Sequence, residues 1–204
     1  MRPYSVTYTP AALDANGFAD DVADSAAGVF TLTATSAADG LAHIVTILGN
    51  AATNHNDKTF TITGTSADGV AQTEDVVGPN GVATVSSTKY FLTVTGITVA
   101  ATTGADTFDF GWSAVAVCPT YPIDWRSPYA HNIFVDVTGT IDFDIQQTFV
   151  NVLAGVTPSW VAITALDSKT ADTYGQASVG ATAIRALINS VTATATIKLQ
   201  TNQP

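Results

Sequence analysis

Between residues 58 and 97, KTFTITGTSADGVAQTEDVVGPNGVATVSSTKYFLTVTGI, apolar and polar side chains take turns along the chain. Phe60 and Ile62 alternate with Thr59, Thr61 and Thr63, the two-residue period that puts one face of a strand against a core. Ser66-Ala67-Asp68-Gly69 breaks the run with a dipeptide that tolerates the positive φ of a tight turn. Residues 70–77 then run back. Gly78-Pro79-Asn80-Gly81 marks a second turn, and residues 82–86 and 90–95 make two more strands. The pattern predicts a β-meander.

The same period recurs on both sides. Phe30 and Leu32 alternate with Thr31 and Thr33. Residues 41–48 are apolar almost without interruption, which predicts a central strand covered on both faces. Phe108, Phe110 and Trp112 fall in phase within 107–117. Residues 132–137 and 140–148 predict a hairpin across Thr138-Gly139, with Ile141, Phe143 and Ile145 on one side and Asp142, Asp144 and Gln146 on the other. Residues 181–188 and 191–199 predict a closing hairpin around Asn189-Ser190. Two stretches lack the period. Residues 1–27 are broken by Pro3, Pro10 and Gly17 and charged by Asp14, Asp20, Asp21 and Asp24. Residues 119–130 hold Pro119, Pro122 and Pro128, which cannot donate to a ladder. The expected architecture is all-β: an extended N-terminal arm (1–27), a β-sandwich-like domain (28–118), a proline- and aromatic-rich crossover (119–130) and a second β-sandwich-like domain (131–204).

Composition sharpens this. Charged residues make up only 12% of the 204-residue chain, so its polar surface has to come from Thr, Ser, Asn and Gln. Glu74 is the sole glutamate, which argues against amphipathic surface helices. The net charge of −10 repels phosphate backbones and disfavours nucleic acid as a partner. Cys118 is the single cysteine, so no disulfide closes within the chain, and a small buried thiol is expected. The first residues carry no apolar run of signal-peptide or membrane-span length, so neither secretion by the general pathway nor a membrane is expected.

No residue pattern predicts catalysis or a cofactor. Asp142 and Asp144 share a strand face, whereas a glycosidase sets its two carboxyl groups across a cleft. Asp20, Asp21 and Asp24 could gather calcium but lack a recognisable ligand loop. His43, His55 and His131 have no metal-ligand spacing, and a core or surface role is expected for each. There is no GxSxG elbow and no phosphate-cradling glycine loop. Trp125, Tyr129 and Trp160 could form a sugar platform, with packing between domains as the plainer expectation. In the arm, Tyr4, Tyr8 and Phe18 are the apolar anchors expected to meet a neighbouring subunit.

Two stretches resemble structural proteins of tailed bacteriophages. TFTITGTSADGVAQTEDVVGPNGVATVSSTKYFLTVTGITV resembles a segment with a Thr-rich hairpin, an acidic strand and a STKYF-type strand. PTYPIDWRSPYAHNIFVDVTGTIDFDIQQTFVNV, with TPSW and ATAIRALINSVTATATIKLQ, resembles a second virion β module, from which the chain departs at Ala186-Leu187-Ile188. The resemblance implies a non-enzymatic capsid decoration (cement) protein. It would be made in the host cytoplasm, sit on the outer capsid surface against the major capsid protein, and associate as a homo-oligomer, a trimer in the first instance. Tyr4, Tyr8, Phe18, Trp125 and Tyr129 are its expected partner-binding residues. A tail, fibre or adaptor component and a carbohydrate-binding β module are the alternatives.

Overall fold

A computed structural model describes residues 4–26, 28–124, 126, 130–154 and 157–202. Among them there is no α-helix, only strands and two short 3-10 turns. The strands are β1 (Tyr4–Tyr8), β2 (Asp14–Ala23), β3 (Val29–Phe30), β4 (Ala42–Gly49), β5 (Thr59–Thr65) and β6 (Ala71–Val77). Then come β7 (Thr84–Phe91), β8 (Thr93–Val99), β9 (Thr107–Val117), β10 (Tyr121–Pro122) and β11 (His131–Thr138). The last are β12 (Ile141–Thr148), β13 (Val161–Ala162), β14 (Thr173–Ala177), β15 (Ala183–Val191) and β16 (Thr196–Asn202). The all-β expectation holds. The chain divides into two compact units, Leu13–Ala116 and Met1–Ala12 with Val117–Pro204.

In the Leu13–Ala116 unit one sheet runs β3-β8-β5-β6, and a second path runs β9-β4-β7 with β2 on β9. The expected meander is present only as its first hairpin, β5 with β6. β7 leaves to pair with β4, and β8 returns to pair with β5. Periodicity identifies strands and turns, but a turn does not dictate that its two strands share a sheet. β4 is covered on both faces, as its unbroken apolar run predicts; Val45 and Ile47 are fully buried. The core is aromatic. Phe108 lies 5.1 Å from Phe60 and 5.7 Å from Phe30, ring centre to ring centre, and Phe30 lies 4.8 Å from Phe110.

Side chains stitch the exposed edges of β6 and β7. The Glu74 carboxylate accepts from the Thr88 backbone N–H and hydroxyl, each at 2.7 Å, and from the Lys89 N–H at 2.8 Å. Gln72 Nε2 donates to the Tyr90 carbonyl at 2.6 Å, and Lys89 Nζ to that of Thr73 at 2.6 Å. The pairing satisfies backbone groups that a bare edge would offer to other chains. Glu74→Ala should cost about 2 kcal/mol in urea unfolding, the range of hydrogen bonds to a charged group. Glu74→Gln, which keeps one acceptor, should lose less. Unchanged midpoints in both would show that the stitch contributes nothing.

The other unit carries a sheet of order β1-β16-β11-β14 and a second set, β13-β12-β15 with β10 on β15. Neither expected hairpin forms here as a paired ladder. β11 pairs with β14 and β16, while β12 pairs with β13 and β15. β15 and β16 likewise belong to different sheets. Thr138-Gly139 is a turn as expected, with Gly139 at φ 77°, but it joins strands of different sheets. The residues read as a free arm are also built into ladders. Tyr4 to Tyr8 pairs with Thr201 to Ile197, and Asp14–Ala23 lies along β9. The alternation of Tyr4, Val6 and Tyr8 is a strand period, and it places their side chains on the half-buried side of an edge strand. In the 119–130 crossover, Tyr121–Pro122 pairs with β15; Trp125, Ser127, Pro128 and Tyr129 lie outside the described residues.

Candidate functional site

The outward side of the β3-β8-β5-β6 sheet is rich in threonine, with Val29, Asp75 and Val77 among its other exposed residues. β5 turns Phe60 and Ile62 into the core, both fully buried, and its intervening residues Thr59, Thr61, Thr63 and Thr65 outward. The register sets Thr73 opposite Thr63 and Thr98 opposite Thr61. Asp75 is the carboxylate beside this set, and it accepts the Thr61 hydroxyl at 2.7 Å. Thr65 and Thr93 share a 2.7 Å hydrogen bond across the ladder. At one corner Val77, opposite Thr59, is 59% exposed. Threonine is β-branched and holds few rotamers, so such a face loses little side-chain entropy on being covered. Methyl and hydroxyl groups together suit a flat contact poor in charge.

The residues expected as anchors are distributed differently. Tyr4 stacks on Tyr121 with ring centres 4.0 Å apart. Tyr8 is half-buried beside it. Burial, then the Cys118 and Tyr4 groups close by, raise the Tyr8 phenol above the ordinary tyrosine value, and burial raises that of Tyr4. The folded chain therefore holds these protons where the unfolded chain has begun to release them. Their contribution is intact at neutral pH and is lost as pH rises beyond about 10. Urea midpoints should be level from pH 7 to 9 and fall above that, and Tyr8→Phe should make the fall shallower. A fall equally steep in the variant would contradict the assignment. Phe18 is a core residue, 2% exposed, edge-on to Trp112 at 5.1 Å, and its ring is committed to its own unit. Trp125 and Tyr129 fall outside the described residues.

Several acids and the histidines make hydrogen bonds within their own unit. Thr107 and Asn50 donate to Asp21 and hold its carboxyl below the usual range. Burial works against ionisation of Asp24, but hydrogen bonds from Thr103 outweigh it and the net direction is downward. Asp142 accepts from Asn189 at 3.1 Å and Asp144 from the Ser168 N–H at 2.7 Å, so neither converges on a cleft. Trp160 lies under the Arg185 guanidinium at 4.4 Å. All three histidines are buried. His43 Nδ1 donates to the Ser113 carbonyl at 2.9 Å and its Nε2 meets Asp39 at 2.8 Å, while His55 Nε2 meets Asp106 at 3.1 Å. Cys118 is buried too, and its Sγ accepts the Ala186 N–H. Among the described residues no three His, Cys, Asp or Glu side chains gather as metal ligands would.

Compared with protein-family models, with curated proteins and with solved structures, the chain matches none.

Proposed function

We propose that this chain is a non-enzymatic structural protein of a tailed-phage virion, a capsid decoration protein that binds the major capsid protein lattice. The observation that carries it is the threonine face of the β3-β8-β5-β6 sheet. A protein repeated over a particle needs a contact surface that is poor in charge, rigid and cheap to desolvate, and a hydroxyl-and-methyl lattice whose one carboxylate, Asp75, is bonded to Thr61 has those properties. The resemblance of 59–99, and of 119–152 with 157–160 and 181–200, to phage virion modules supplies the setting. The two units act as two β-sandwich-like domains in this reading. In this reading Tyr4 and Tyr8 meet a neighbouring copy through the half of each ring that stays exposed on the edge strand, and the buried Phe18 takes no part. The net charge of −10 keeps free copies apart until they dock. Closed symmetry suits repeated lattice positions, with a trimer as the expected free form.

Quantitative mass spectrometry of purified virions tests this. A decoration protein is present at a copy number in fixed proportion to the major capsid protein. A handful of copies per particle would assign the chain to the tail or its adaptor, and absence from the particle would end the proposal.

A further inference from the structure

We propose that the outer face of the β1-β16-β11-β14 sheet is a platform for a neutral oligosaccharide, with Phe134 and Tyr174 as its stacking surface. The register places Tyr174 directly opposite Phe134 on adjoining strands. Their rings lie 28° from parallel with centres 6.4 Å apart, and they are 44% and 76% exposed. Phe134 breaks the pattern of its own strand. It shares phase with Asn132 and Asp136, the polar side of β11, while Ile133 and Val135 fill the core. The cross-strand pair adds a little to the sheet's stability, but two rings left this exposed on an otherwise polar face also offer a flat stacking surface.

The groups around the rings define the ligand. The row through Phe134 continues to Gln200 and then Ser5, and the next row holds Asn202, Asn132 and Gln176. Gln176 Nε2 donates to Asn132 Oδ1 at 2.8 Å, and among the described residues the Asn132 NH₂ and the Gln176 side-chain carbonyl have no partner. The side-chain amides of Gln200 and Asn202 have no hydrogen bond within the described chain. An amide offers donors and acceptors together, the match for vicinal hydroxyls that both give and accept protons. A shallow, open hollow beside Phe134 is lined by Tyr4, Ser5, Gln200, Thr201 and Asn202, and Tyr174 stands outside it. The neighbouring charges are Lys198 and Asp136, 3.8 Å apart, and the exposed Asp172, whose carboxylate accepts the Val137 N–H; the balance is acidic and recruits no anion. Flat C–H faces for the rings, hydroxyls for the amides and no attraction for an anion together describe a neutral sugar chain. A protein partner would bring a broad apolar contact with a polar rim, whereas here a single ring pair sits among amides.

The site is on the opposite unit from the threonine face, so the two proposals fail separately. The full chain is applied to an array of neutral glycans with sialylated and sulfated glycans as controls, and the strongest hit is titrated by calorimetry. Neutral glycans should be retained and acidic ones not. Phe134→Ala and Tyr174→Ala should each weaken binding by about tenfold or more, and Tyr174→Phe should stay near the parent. Melting temperatures should fall by no more than a few degrees in the alanine variants, the share of one cross-strand aromatic pair, and should hold in Tyr174→Phe. Retention of no neutral glycan, or equal retention by the parent and both alanine variants, would overturn the assignment. So would a Tyr174→Ala variant that fails to bind phage heads while the parent retains no glycan, since the face would then dock protein.

Discussion

A Phe108→Ala variant will lose about 4 kcal/mol of stability, the cost of removing a fully buried aromatic ring and leaving a cavity. Phe108 is 0% exposed and is the ring on which Phe30, Phe60 and His55 converge, at 5.7, 5.1 and 5.2 Å. It stands on β9 and joins the inner faces of both sheets of its unit, so its loss is felt by each. Against a total of roughly 5–15 kcal/mol for a folded domain, such a loss brings the unit close to its threshold. Urea unfolding followed by circular dichroism measures it. Phe108→Leu, which refills part of the volume, should recover about half. A loss under about 1 kcal/mol in Phe108→Ala would mean that the aromatic cluster is not the core of this unit.

Gly111→Ala should be comparably severe for a different reason. A methyl group at Gly111 would lie 2.0 Å from the Asp14 carbonyl oxygen and 2.4 Å from the Ala15 carbonyl carbon. Those are backbone atoms, so no rotamer change relieves the clash, and β2 has to lift from β9. Phe18 and Ala19, both buried, would lift with it. The expected cost is about 3 kcal/mol, at the upper end for an overpacked site. Hydrogen exchange should show loss of protection across 14–23 before the rest of the unit. Gly96→Ala is the control: nothing lies within 4 Å of its added methyl, and it should be near neutral. Unchanged protection over 14–23 in Gly111→Ala would contradict the placement of β2.

The sequence made the strands readable and their partners much less so. Thr107–Val117 coincides with the in-phase run of Phe108, Phe110 and Trp112, and β4 coincides with the unbroken apolar run after Gly40. Turn chemistry at Asp68-Gly69 and Thr138-Gly139 was equally plain, and both glycines adopt positive φ. The partner assignment failed at the same kind of place each time: after β6, between β11 and β12, and between β15 and β16. A tight turn fixes how the chain reverses, but the next strand can fall beside its predecessor or into another sheet, and both choices bury the same alternating residues. For the same reason residues 1–27 read as an arm: β1 and β2 both pair with strands far along the chain, β16 and β9, and such partners leave no local signal. The threonine face was legible as an outward phase of β5. Phe134 carried a signal that could have been found, an aromatic ring in the polar phase of its strand, but Tyr174 joins it only through a long-range register.

In the proposed function, the threonine-rich sheet face grips the particle. Co-sedimentation of the purified chain with phage heads that lack it measures this directly, using the parent and a Thr63→Lys/Thr95→Lys variant. Both positions are exposed, and the Thr95 hydroxyl reaches the Thr63 carbonyl, so the two lysines would place like charge at the centre of the face. Surface changes of this kind should leave folding nearly unaltered. The parent should pellet with the heads to a fixed saturating ratio while the variant stays in the supernatant. A variant that pellets as well as the parent, or a parent that never leaves the supernatant, would contradict the account.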